Sequence, residues 1–159
     1  MNFLANITIK MKILILLFFP ILGLAFFAIN SVNDKSEIVS EMESVQQLAQ
    51  LAVKVSALVH ETQKERGATA GFLGSKGKEF VTELTTQRSD TDQKNADLTG
   101  FMNTFNKDEY SNEFNNQLND ALSRLEKIQG IRSKVTAMNI AVGDAIGYYT
   151  SMNSAFLDV

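Results

Sequence analysis

The chain has 159 residues, 45% of them hydrophobic, with a formal net charge of −3 and a single proline, which bounds it to one domain of modest size and favours long helices over sheets. With no cysteine and one histidine, it carries no disulfide, no thiolate chemistry and no zinc site of the usual Cys/His kind. The acidic balance gives no general attraction for nucleic acid, so any bound anion must be held by a local positive pocket.

The first element is a membrane segment. Ile13 to Ile29 form an apolar run, which as a helix spans about 25 Å. Lys10 and Lys12 precede it, and Asp34, Lys35 and Glu37 follow. The positive-inside rule therefore predicts a cytoplasmic N-terminus over 1–12, a transmembrane helix over 13–31 and an extracytoplasmic domain over 32–159. The competing reading is a cleaved signal peptide, but the apolar core is long for that role. Ala25-Phe26-Phe27-Ala28 also lacks a clean small-x-small cleavage pattern. Pro20 is tolerated within a spanning helix.

From Val32 to Leu73 the pattern predicts one long helix, since neither glycine nor proline lies between Val32 and Arg66. Such a helix, continuing from the span, is expected to stand the domain off the bilayer. Ile38, Val45, Ala52 and Val59 recur seven apart, with Leu48 and Val55 interleaved. The next position in that register is Arg66, so an arginine is expected on the buried seam, with Thr62, Gln63 and Thr69 on or beside it. A guanidinium stays charged in a protein and, if buried, needs a negative partner. Three readings stay open: an internal carboxylate, snorkelling to the surface, or a small anion drawn from solvent. Glu61 and Glu65 are close in sequence, but on a helix they point about 140° and 100° away from Arg66, which predicts that they face solvent. Gly67, Gly71 and Gly74 follow at helical spacing, a flat strip that admits a ligand or a closely packed backbone. Gly74-Ser75-Lys76-Gly77 then predicts a turn.

A second helix is expected over 79–105, with Val81, Leu84, Leu98, Met102 and Phe105 on its seam and a polar middle of Arg88, Thr91 and Asn95. Asp92, four residues after Arg88, is positioned to pair with it. After a polar connection at 106–109, a third helix is expected over 111–128, with Phe114, Leu118, Ala121, Leu122, Leu125 and Ile128 inward. Gln129-Gly130 is read as its break, with Arg132 on a connecting stretch between Ile131 and Val135. A final helix is expected over 140–157, presenting Val142, Ala145, Ile146, Tyr149, Met152 and Phe156 inward; of Tyr148 and Tyr149, only one should reach the core. The class is thus all-α, a transmembrane helix followed by an up-and-down four-helix bundle. No phosphate loop, nucleophile elbow or metal-ligand cluster is visible on it, and His60 has neither a nucleophile nor an oriented acid beside it, so no enzymatic role is expected.

The ordered set LVHETQKERGATAGFLGSKG from Leu58, QRSDTD from Gln87, GIRSKV from Gly130 and GYYTSMNSAFLDV from Gly147 resembles the nitrate- and nitrite-sensing domain. That family occurs outside the membrane in bacterial chemotaxis receptors, sensor kinases and diguanylate-cyclase-type proteins, and in a soluble antitermination regulator. The resemblance covers roughly Leu48 to Val159, and its most specific part is Glu65-Arg66-Gly67-Ala68. It implies an all-helical domain of two four-helix bundles that binds nitrate or nitrite through arginines. By motif, Arg66 is the first ligand candidate and Arg132 the second, with Thr62, Gln63 and Thr69 as neutral donors; Arg88 matches a position not counted as a ligand. Against that family pattern, 32–159 is expected to be a truncated sensor domain, its first bundle, with the second bundle and the signalling module outside the given sequence. The expectation is a single-pass sensor of the bacterial inner membrane, a homodimer with its sensor domain periplasmic or extracellular and no cofactor. A module for another small anion or metabolite, or a structural dimerising bundle, stands as the alternative.

Overall fold

The computed structural model describes residues 8–159; the side chains at 33, 34, 36, 37 and 40 are not described. The predicted N-terminal segment 1–12 therefore falls, for 1–7, outside the described residues. Five α-helices follow one another: α1 (Ile9–Gly74), α2 (Val81–Met102), α3 (Asn112–Leu125), α4 (Ile128–Thr136) and α5 (Val142–Leu157), with a short 3-10 turn at Lys107–Glu109. No strand occurs among the described residues. The chain divides into two units between Gln46 and Gln47.

In the first unit, the 24 residues Ile9–Val32 have a mean hydropathy of 2.6 and are long and apolar enough to cross a membrane. Their large side chains, among them Leu16, Phe19, Leu24 and Phe26, are exposed. Pro20 is accommodated inside the helix.

The second unit is a bundle of four legs: the C-terminal part of α1, then α2, then α3 and α4 together, then α5. Leu51, Val55, Leu58, Leu98, Leu118, Leu125, Met152 and Phe156 belong to the larger apolar cluster. A smaller cluster gathers Leu73, Leu84, Val135 and Ala145. Along α1, the stretch between these clusters buries polar side chains instead, Thr62, Glu65 and Thr69, met by Gln87 and Thr91 from α2, Arg132 from α4 and Asn153 from α5.

Local chemistry explains the element ends. The turn after α1 uses Lys76 and Gly77 at positive φ, 58° and 75°; glycine adopts this freely. Ser75 ties it by accepting from the Glu79 amide at 3.0 Å. Ser111 caps α3 by accepting from the Phe114 amide at 3.1 Å. Phe105 and Tyr110 stack at 5.0 Å between centroids and pin the connection between α2 and α3 to the core.

Two expectations are corrected, and the alternatives left open at one glycine are narrowed. Gly130 does not break a helix: the interruption falls at Glu126-Lys127, and the expected connecting stretch is α4, with Gly130 exposed inside it. An exposed helical glycine costs only about 1 kcal/mol relative to alanine, which the burial of Ile128, Arg132 and Val135 readily outweighs. Val81 and Val142 lie outside the buried faces. On the expected glycine strip, the ring of Phe80 lies against Gly71, where an added Cβ would meet it at 2.5 Å, so close packing fills that position.

Candidate functional site

The buried stripe of α1 is Leu51, Val55, Leu58, Thr62, Glu65, Thr69 and Leu73, steps of three and four residues that follow the helical period. Of the expected seam, Ile38, Val45 and Ala52 are exposed and Val59 is buried, so the register runs one position to the side of the stripe. Arg66 is therefore half-buried, not on the seam, and Gln63 is exposed. The side chain that does occupy the seam is Glu65, fully buried rather than solvent-facing as expected.

Glu65 is the point where four helices meet. Arg132 of α4 grips it with both arms of the fork, Nε to Oε1 at 2.7 Å and Nη2 to Oε2 at 2.8 Å. Tyr149 of α5 donates its hydroxyl to Oε1 at 2.8 Å. Arg88 of α2 approaches the same oxygen with Nε at 3.9 Å. Bidentate pairing of this kind is the geometry that makes a buried charge tolerable. Burial weakens the hold of Arg132 on its proton, but the hydrogen bonds and charges of Glu65 and Asp92 outweigh it, so its pKa ends above the ordinary value. Burial first, and then the Glu65 charge, push the Tyr149 hydroxyl well above the usual phenol range. Of the adjacent tyrosines it is Tyr149 that is fully buried, while Tyr148 stays partly exposed and donates to the Arg124 carbonyl at 2.8 Å.

Asp92 pairs with Arg132, Nη1 to Oδ1 at 2.5 Å, and not with Arg88 as its spacing suggested. Arg88 instead donates to the Thr136 hydroxyl at 3.0 Å and to the Arg132 carbonyl at 3.3 Å, neutral partners that leave burial as the main effect and lower its pKa.

On the α1–α5 edge the arrangement differs. Arg66 donates from Nη1 to the Thr150 hydroxyl at 3.0 Å. Of the chain's four arginines, it alone has no ion pair among the described residues. One turn earlier on α1, the Thr62 hydroxyl lies 2.6 Å from Asn153 Oδ1, an O–H···O length, with both residues buried. Thr69 is buried beside the Tyr149 hydroxyl. Arg66 bonds to Thr150 and Arg132 to Glu65 and Asp92, so among the described residues the two expected ligands have no hydrogen-bond or ion-pair partner in common. His60 is exposed. Sequence reasoning passed over Thr150 and Asn153 and turned Glu65 outward; a helical-period count from Leu51 through Leu58 would have placed Glu65 inside.

The family described as nitrate and nitrite sensing matches residues 57–159, which takes in both the Glu65 cluster and the Arg66 edge. The chain belongs to this family. Its description is one of sensing, not of catalysis. Among solved structures, the chain is similar to the NasR transcription antiterminator, at 27% identity and a TM-score of 0.68, over 74% of this chain and 32% of that one. It thus spans about a third of the length of that structure. A search of curated proteins gives no match. In this nitrate- and nitrite-sensing domain, no group of three or more histidine, aspartate or glutamate residues among the described residues is placed to hold a metal.

Proposed function

We propose that this chain is the ligand-binding part of a single-pass signalling receptor in the bacterial cytoplasmic membrane, with a cytoplasmic N-terminus, and that it binds nitrate or nitrite at Arg66. The observation that carries the reading is a guanidinium without an ion pair among the described residues: Arg66 lies inside the family match, and the hydrogen bond it makes there is to a neutral hydroxyl. A planar oxyanion suits the fork of donors, which serves two oxygens at once. Because Thr150 accepts from Arg66, its own O–H proton is free to serve a third oxygen. Thr62 and Thr69, buried in the layer beneath, position the α1–α5 contact. Gln63 takes no part. Arg132, committed to Glu65 and Asp92, holds the core.

Binding across α1 and α5 biases the packing of those helices, and α1 carries the bias toward its apolar stretch Ile9–Val32. In this reading the receptor is a homodimer, and a chemotaxis receptor is one output it can serve. A guanidinium alone does not separate nitrate from a small carboxylate, so the second reading is a sensor for another planar anion.

Isothermal titration of the full chain in detergent micelles with nitrate, nitrite, acetate, chloride and sulfate tests both. The expected result is saturable heat with nitrate or nitrite and none with chloride or sulfate. Saturable heat with acetate alone would replace the nitrate reading by the second, and no heat with any planar anion would remove both.

A further inference from the structure

The cleft between α2 and α4 has a charge arrangement that the Arg66 edge does not explain. It is open, about 540 Å³ in volume, and lined by Arg88, Asp92, Gln129, Arg132, Ser133 and Thr136. Glu65, with one negative charge, is engaged at both oxygens by Arg132 and also by Tyr149. Arg88 is left with a hydroxyl and a carbonyl as hydrogen-bond partners, and its buried Nε has none. Two guanidiniums against Glu65 leave one positive charge over, at the wall of a cleft that also offers Gln129, Ser133 and Thr136. A single carboxylate balances it: Asp92, whose side chain is 50% exposed while its Oδ1 lies 2.5 Å from Arg132 Nη1. A half-hydrated acid bonded to a nearly buried arginine occupies the place that a small anion from solvent would take.

We propose that this cleft is a second binding site, for a planar monovalent oxyanion such as a carboxylate, nitrate or nitrite, in which the Asp92 carboxylate is a tethered occupant that an anion from solvent replaces. One negative charge satisfies the surplus, whereas a divalent tetrahedral anion overcompensates it and fits the fork of donors poorly. The tether gives Asp92 a high effective concentration at Arg132, so an outside anion competes at a disadvantage. The site shares no residue with the Arg66 edge and does not depend on the nitrate reading.

The test uses the full chain in detergent micelles with ¹⁵N-labelled arginine, whose four Nε–H signals report the four arginines separately. Formate, nitrate and chloride are titrated at constant ionic strength into Arg66→Met and into Arg66→Met/Asp92→Asn, so that the Arg66 edge is silent throughout. With Asp92→Asn, the Arg88 Nε signal should shift saturably with formate and nitrate while that of Arg124 stays still. With Asp92 in place, half-saturation should need about tenfold more anion. No saturable shift at Arg88, an equal response to chloride, or the same half-saturation with and without Asp92 would each overturn the proposal. If circular dichroism shows Asp92→Asn unfolded, Asp92→Ala takes its place, with formate supplying the missing carboxylate. A melting temperature that rises saturably with formate but not with chloride supports the proposal, and no such rise overturns it.

Discussion

Glu65 and Arg66 are neighbours in sequence, and the environments on either side of that peptide bond are opposite in kind. Glu65 is fully buried and meets Arg132, Tyr149 and Arg88 from three other helices. Arg66 sits at the α1–α5 edge with one threonine hydroxyl for company. In the first environment the chain supplies the counter-charge of Glu65 itself, which ties four helices together. In the second the chain supplies a cation with no acid paired to it among the described residues. Burial therefore marks the arginine that holds the bundle, and on the proposed reading the edge arginine is the one available to an anion.

Substitutions can break or sharpen this contrast. Glu65→Gln should act most strongly, since it leaves the Arg132 guanidinium buried without its bidentate partner; urea denaturation should show a loss of about 3–5 kcal/mol. Glu65→Leu combined with Arg132→Met should recover much of that loss, because the charges left without their ion pairs, Arg88 and Asp92, have partly exposed side chains. Tyr149→Phe removes one hydrogen bond to a buried carboxylate, and the same assay should read a loss of about 2 kcal/mol. Thr62→Val deprives Asn153 Oδ1 of its donor, at a cost of about 1 kcal/mol with no change of fold by circular dichroism. Arg66→Met should have the smallest effect on stability, within about 0.5 kcal/mol, because the residue is half-buried and carries no ion pair. An Arg66→Met variant that melted as low as Glu65→Gln would erase the contrast.

The sequence carried much of this fold. The near absence of proline, the apolar run before Asn30 and the turn at Gly74–Gly77 announced the helices and their order. The apolar positions Leu118, Ala121, Leu125 and Ile128 also read correctly from their spacing, and all are buried. The α3–α4 boundary was hidden because Gly130 drew attention away from Glu126-Lys127, where no residue type signals a stop. The site was harder to read for a more general reason. A heptad register anchored on Ile38 and Val45, which do not face the bundle, ran one position beside the buried stripe and so exchanged the places of Glu65 and Arg66. The partner of Asp92 was equally hidden, since Arg132 lies forty residues away on another helix and only tertiary packing prefers it to Arg88, four residues away on the same helix. Motif likeness singled out Arg66 where periodicity supplied the wrong reason for it.

The most direct measurement is a nitrate titration by calorimetry of the native chain and Arg66→Met side by side in the same micelles, with Arg66→Lys between them. The account predicts saturable nitrate or nitrite heat in the native chain, weaker binding in Arg66→Lys and none in Arg66→Met, with all three melting at nearly the same temperature. Undiminished nitrate binding in Arg66→Met would contradict it and move the ligand to another part of the chain.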